Sequence, residues 1–298
     1  MIEASWSGQS CLWKVLGEDV RTGQRTLWQC DILIQAAGTY NRKKIPAVPG
    51  VQTFKGDVWH TVDWPRDYDF SGKRVAYIGT GPTALQALPV VQSQAEKLTI
   101  FVRSVAHCHP FPNLQYPAWL IWVFASVPGV LALYSAVVSY GFSVYNWFIF
   151  RPGTWLARAE ERYCERYLKN TVPDPALQQK LRPVGRFGAK RPLVSPTLFR
   201  LVQKPNVELV QEELCQILED GIISKPRSTG TDLQPDLAEK TTTRNFDVII
   251  WGMGFIMQGW GSMIPSRGRK GQLLSEAWGD SPETLFGQPA STYKDQSI

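Results

Sequence analysis

Apolar and polar positions change period several times along this chain, and each change predicts an element. Arg74 to Ile78 (R-V-A-Y-I) and Leu98 to Val102 (L-T-I-F-V) are short apolar runs with β-branched residues, the pattern of buried strands. Cys11 to Leu16 and Gln24 to Gln29 alternate around Thr22-Gly23 and predict a hairpin. Asp31 to Ala37 predicts a buried strand closed by Gly38. Phe246 to Trp251 predicts another, ending in G-M-G-F at Gly252 to Phe255. Helical spacing governs Trp155 to Leu168, which Pro173-Asp174-Pro175 stops, and Ala176 to Leu181 forms a further short helix. Glu208 to Leu218 leads into a polar, Thr-rich stretch, Ser228 to Thr243, that predicts a surface loop. Ala118 to Phe150 contains no charged residue. Strands interleaved with helices place the chain in the α/β class.

The turn between the first two strands carries chemistry. Gly79, Gly81 and Ala84 stand at G-x-G-x-x-A spacing after a strand and before a helix. Gly79 allows the tight turn, Gly81 leaves room for a pyrophosphate, and Ala84 lets the helix pack on the strand. Pro82 suits the first helical position, and the helix N-terminus supplies free donors to an anion. The second strand ends at Arg103, about 20 residues past the glycines, where an acidic residue would hold the free ribose 2′-OH of NAD. Arg103 and Ser104 suit a 2′-phosphate instead, so the turn predicts NADP. The alternative is an ordinary solvated arginine at a strand end.

Composition narrows the rest. The 298 residues suffice for one large or two modest domains. The net charge of +6 is spread in short clusters with no basic stripe bearing aromatics, which does not favour a nucleic-acid reader, while a positive balance suits phosphate handling. The cysteines Cys11, Cys30, Cys108, Cys164 and Cys215 are odd in number and scattered, so a reducing, cytoplasmic setting is expected. Cys108 between His107 and His109 is too closely spaced to chelate one ion, and no metal is expected. Met1 to Ser10 has no apolar core of a signal peptide.

Phe54, Gly56, His60, Trp64 and Pro65 form F-x-G-x-x-x-H-x-x-x-W-P immediately before the glycine turn. This closely resembles the signature of Baeyer–Villiger monooxygenases, the class B flavoproteins that use FAD and NADPH. The resemblance implies two Rossmann-like dinucleotide-binding domains. Residues 1–65 would close a first FAD-domain segment and carry the linker signature. Residues 66–240 would form the NADP domain with a helical insertion at about 107–182, and residues 241–298 would return to the FAD domain. No glycine turn for the FAD pyrophosphate precedes Gly79, so the FAD domain reads as incomplete, with roughly 150 residues, about a domain, missing ahead of Met1 and a further portion missing at the other end.

The family also implies roles. His60 would couple the cofactor domains. Gly79, Thr80, Gly81, Pro82, Thr83 and Ala84, with Gln86, would hold the NADP pyrophosphate, and Arg103, Ser104 and Lys190 its 2′-phosphate. The G-A-K-R-P-L-V-S segment makes Arg191 the active-site arginine, holding negative charge as it develops on the substrate; composition alone would read the same segment as a solvated basic loop. Gly38, Gly252 and Gly254 would lie towards the flavin, with Trp251 and Met253 departing from the usual Ala-Thr-Gly-Phe pattern. The implied reaction inserts one atom of O2 beside the carbonyl of a ketone, expected to be bulky and hydrophobic. The alternatives are an N- or S-oxygenating relative and a non-catalytic NADP-binding remnant. The charge-free insertion is expected to form buried or substrate-facing helices; peripheral membrane contact and a true span are the less favoured readings.

Overall fold

The computed structural model describes residues 1–34, 36, 38, 40–110, 115–227, 241–256, 264–268 and 270–278, with two short strands at 284–285 and 288–289. It divides into two compact units, Met1–Lys44 with Gly254–Ile298, and Ile45–Met253. The first unit opens with an antiparallel meander, β1 (Glu3–Ser7), β2 (Leu12–Glu18) and β3 (Arg25–Cys30). The β2–β3 pair is the predicted hairpin, in the register Leu16 opposite Leu27.

The strand expected over Asp31 to Ala37 does not form among the described residues. Ile32 and Ile34 are 77% and 82% exposed. A strand needs a partner for its backbone, and among the described residues β3 is the edge of its sheet with nothing paired beyond it.

The second unit contains β4 (Asp57–His60), β5 (Arg74–Ile78), helix α1 (Pro82–Gln94) and β6 (Lys97–Phe101). A long excursion follows: β7 (Cys108–His109), α2 (Ala118–Ser126), α3 (Val130–Ile149), α4 (Trp155–Thr171), α5 (Pro175–Leu181) and β8 (Leu193–Val194). The chain returns through α6 (Leu198–Leu201) to β9 (Val207–Val210), then the meander β10 (Glu212–Ile217), β11 (Gly221–Pro226), β12 (Thr242–Asn245), and finally β13 (Val248–Trp251). Most of the predicted loop from Ser228 lies outside the described residues. Past Gly254 the chain rejoins the first unit, where β14 (Ser266–Arg267) pairs parallel with β1.

Five strands in the order β4-β13-β5-β6-β9 make one parallel sheet. Period-two alternation sends Val75 and Tyr77 to one face, and Ala76 and Ile78 to the other. The first face packs on α1 through Leu88 and Val91, with Ile100 and Ile250 beside them. The second is covered by Ile217 and Ile222 of the meander. Trp251 belongs to this second core and is fully buried there, so its ring fills the face of the sheet rather than its carboxyl edge. Arg74 and Asp247 join the starts of β5 and β13 by two side-chain hydrogen bonds, Nη2 to Oδ1 at 2.9 Å and Nε to Oδ2 at 3.1 Å.

The insertion differs from its expected burial. Along α2 no side chain is buried, and along α3 only Ile149 is. That last turn of α3 packs with Cys164 of α4 and with Phe187; α2 touches its first turns through Phe124 and Tyr134, whose rings are 5.0 Å apart, and most of the remainder is exposed. No single helix among the described residues is long and apolar enough to cross a membrane, and α2 with α3 meets that test only as a pair bent by 110°.

Candidate functional site

The register of the five-stranded sheet puts His60, Trp251, Ile78, Phe101 and Val210 in one row across its carboxyl edge. Ligands in open α/β sheets bind outside that edge, where the strand order reverses. Here the chain goes from β5 to β6 on one side, and β13 and β4 lie on the other, so the reversal falls beside β5. The glycine turn stands there. Gly79 has φ 116°, and a Cβ on it would lie 2.4 Å from the Gly252 carbonyl oxygen, so two backbones pass where no side chain fits. Gly81 is the N-cap of α1 with φ −74°, and a Cβ on it would meet nothing within 4 Å. That start has Pro82 at its first turn and no side-chain cap; the Ala84 N–H turns back to the Gly81 carbonyl oxygen at 2.9 Å, which leaves the Thr83 N–H to a ligand. Ala84 is buried against the strand. Thr80 is half-buried, while Pro82, Thr83 and Gln86 are exposed.

Arg103 follows β6 on the neighbouring strand and is exposed. Ser104 next to it accepts hydrogen bonds from Lys190 Nζ, through its carbonyl oxygen at 3.3 Å and through its hydroxyl. Lys190 is brought there by the β7–β8 pairing: Leu193 N–H donates to His107 O at 2.7 Å and Ser195 N–H to His109 O at 3.0 Å. Phe187 fixes the loop from below, its ring buried beside His107 and its N–H donating to Glu161 Oε1 at 2.8 Å. Burial pushes the Lys190 ammonium below its ordinary pKa, and the Arg103 and Arg227 guanidiniums push in the same direction. Three cations therefore converge, and none of them pairs with a carboxylate among the described residues. Arg227 was not anticipated. Nothing in its local sequence marks it, because the end of β11 in the meander delivers it. Arg191 is exposed on the same loop, next to Lys190.

The signature positions have physical reasons. A Cβ on Gly56 would lie 2.3 Å from the Asp247 carbonyl oxygen. His60 is buried at the end of β4, and its Nδ1 accepts from the Val62 N–H at 3.3 Å. Trp64 closes an aromatic group with Trp59 and Phe70, at ring separations of 6.2 and 5.7 Å. Of the glycines expected near a flavin, Gly252 faces the Tyr77 ring, 2.5 Å from where a Cβ would stand. Gly38 and Gly254 have φ 76° and 74° and open surroundings. Burial pushes the Cys108 and Cys164 thiols up to about 12, which makes both poor nucleophiles near neutral pH. No cluster of three or more His, Cys, Asp or Glu suited to a metal exists among the described residues.

An NADP phosphate fits what is present: open space at Gly81, an uncapped helix start and three unneutralised cations. A seat for an FAD pyrophosphate is not present among the described residues, since the turn after β5 is the one strand–glycine turn–helix unit they form.

Comparison with known proteins agrees with this fold. Residues 2–109 match the family described as flavin-binding monooxygenase-like. The FAD-binding monooxygenase BOA2 of Botryotinia fuckeliana is 32% identical over 287 residues, covering 96% of this chain and 53% of the relative. A Baeyer–Villiger monooxygenase of Streptomyces coelicolor is 29% identical over 289 residues, covering 97% and 52%. The fold superposes on cyclohexanone monooxygenase from Rhodococcus sp. Phi1 bound to NADP+, with a TM-score of 0.74 at 23% identity, over 96% of this chain and 57% of that one. The chain thus spans about half the length of the curated relatives it matches. Residues 2–109 thus carry the match to the flavin-binding monooxygenase-like family, and over nearly its whole length the chain is similar to relatives named as FAD-binding and Baeyer–Villiger monooxygenases.

Proposed function

We propose that this chain carries the NADPH-binding part of an FAD- and NADPH-dependent monooxygenase of Baeyer–Villiger type, which inserts one oxygen atom of O2 beside a ketone carbonyl to give an ester or lactone. The convergence of Arg103, Lys190 and Arg227 one strand away from the Gly79–Ala84 turn supports this reading best. NADPH, when bound, supplies the hydride, and FAD, when bound, supplies the activation of O2.

The chain's own residues bind and orient. The turn and the N-terminus of α1 would hold the pyrophosphate. Ser104 and the three cations would hold the 2′-phosphate, and that charge is absent from NADH. Arg191, on the loop with Lys190, would hold negative charge developing on the ketone oxygen; a guanidinium stays charged at any working pH, and such a donor is worth about 3–4 kcal/mol in comparable oxyanion sites. His60, at the carboxyl edge beside β13, would couple the nucleotide unit to the flavin side. Gly38, Gly252 and Gly254 would allow backbone to approach the flavin. The ketone is proposed to be bulky and hydrophobic; activity confined to small polar ketones would count against that.

The test is titration of the purified 298-residue chain with NADPH, NADH and FAD, followed by gel filtration and a visible spectrum. NADPH should bind at least tenfold more tightly than NADH. Equal binding of the two would refute the assignment of the cations. Retained flavin that NADPH bleaches would put the redox chemistry in this chain, and NADPH binding without retained flavin would assign it the nucleotide half alone.

A further inference from the structure

The hairpin of α2 and α3 carries no charge and is exposed along most of its length. From Ala118 to Phe150 there is no charged residue, and exposed large apolar groups spread over more than half the circumference of α3, with Leu133 and Tyr140 on one flank, Val137 and Phe148 between, and Leu131, Val138 and Phe142 on the other; the remaining face carries Ala132, Ser135, Ala136 and Ser139. A helix of that composition is ordinarily surrounded, by a protein core or by lipid. A partner groove would take one stripe and leave the others wet. A bilayer takes all of them.

Three further observations favour lipid. The charge-free stretch ends abruptly at Arg151, whose guanidinium sits 3.8 Å from the centre of the Trp147 ring. Cation and indole together make the kind of anchor found at the membrane–water boundary. Beyond it, Arg158, Arg162 and Arg166 recur every four residues along α4 and are all exposed, a cationic stripe complementary to anionic headgroups. Finally, α2 and α3 meet at Pro128-Gly129 with a bend of 110°. At 1.5 Å per residue α2 is about 13 Å long, close to the roughly 15 Å of one hydrocarbon leaflet.

We propose that the α2–α3 hairpin inserts into one leaflet of an anionic bilayer, with the Pro128-Gly129 bend deepest, Trp147 near the headgroups and the α4 arginines against them. This holds the second unit on the membrane surface without crossing it. The inference is independent of the proposed oxygenation.

The experiment uses the full chain and vesicles of phosphatidylcholine with and without one quarter phosphatidylserine. Flotation should carry the protein with the anionic vesicles, at least tenfold more than with neutral ones, and raised salt should reduce the difference. Brominated acyl chains should quench tryptophan emission, and W119F/W122F should remove most of that quenching. V137D should abolish flotation while NADPH affinity stays unchanged, and R158E/R162E should remove the preference for anionic lipid. Failure of the unsubstituted chain to float, or to be quenched, overturns the proposal whatever the variants do. So does flotation that V137D leaves intact. A chain that elutes as a dimer, is split by V137D and ignores vesicles would show that a second copy covers the hairpin.

Discussion

Gly79 and Gly81 are two residues apart in the same turn, yet the structure assigns them opposite sensitivities. Gly79→Ala forces an L side chain to φ 116°, a region that costs about 1–3 kcal/mol for a non-glycine residue. Its Cβ would also lie 2.4 Å from the Gly252 carbonyl oxygen, so the end of β13 must shift by about 1 Å to restore ordinary contact. The sum is a loss of about 3–5 kcal/mol, on the order of 10 °C in Tm for a domain of this size. Gly81→Ala meets open space at φ −74°. Its gain from a stiffer unfolded chain and its loss as a poorer N-cap nearly cancel, leaving it within about 1 kcal/mol of zero. The new methyl group would, however, occupy the space left for the pyrophosphate, so NADPH affinity should fall at least tenfold. Urea unfolding and nucleotide titration of both variants separate the two effects. A Gly79→Ala loss below about 1 kcal/mol, or a Gly81→Ala loss larger than it, would refute this account of the turn.

Further expectations concern charge and buried polarity. Lys190 has a lowered pKa in the folded protein, so its charge opposes folding below that pKa, and stability should rise with pH between the folded value and the ordinary lysine value; a bound 2′-phosphate should reverse this, so NADPH affinity should fall across the same alkaline window while NADH affinity does not. Arg227→Ala should reduce the preference for NADPH over NADH by about 10- to 100-fold, the loss of one charge-assisted contact, as read by competitive titration. Asp247 is held below the usual carboxylate range chiefly by its hydrogen bond to Arg74, so the pair's contribution is present above the ordinary aspartate pKa and disappears as pH falls through the lowered one. Both side chains are more than a third exposed, so Asp247→Asn should cost at most about 1 kcal/mol near neutral pH and should flatten the acid limb of the stability profile. The Tyr77 hydroxyl is buried without a hydrogen-bond partner among the described residues, so Tyr77→Phe should leave stability unchanged or raise it by about 1 kcal/mol in thermal unfolding.

Local signals in the sequence were sufficient where an element satisfies itself or its immediate neighbour. The strand Arg74–Ile78 forms with the bounds its pattern predicts, because its apolar run is buried on both faces. The β2–β3 hairpin follows from its turn, and Gly79 from the backbone conformation it must adopt. Asp31 to Ala37 reads as a buried strand because apolar residues state a need for cover, and the sequence does not say whether the cover is within reach. The same ambiguity explains α2 and α3: their composition demands burial, and periodicity does not distinguish a core from a lipid phase. Lys190 could be linked to Ser104 only through a family resemblance, since their meeting depends on the two-residue pairing of β7 with β8. Arg227 had no signal at all.

The position of β13 between β4 and β5 governs how this chain can be made. Arg74 and Asp247, which start the two paired strands, are 173 residues apart. A ribosome adding about 5–20 residues per second needs roughly 10–35 s to travel that distance. During that interval β5 and β4 have emerged but lack the strand that joins them, so each presents an open row of backbone donors and acceptors to other nascent chains. Long-range pairing of this kind is slow even after release. Recovery of native protein should therefore depend on what shields those edges during synthesis more than on the final strength of the sheet.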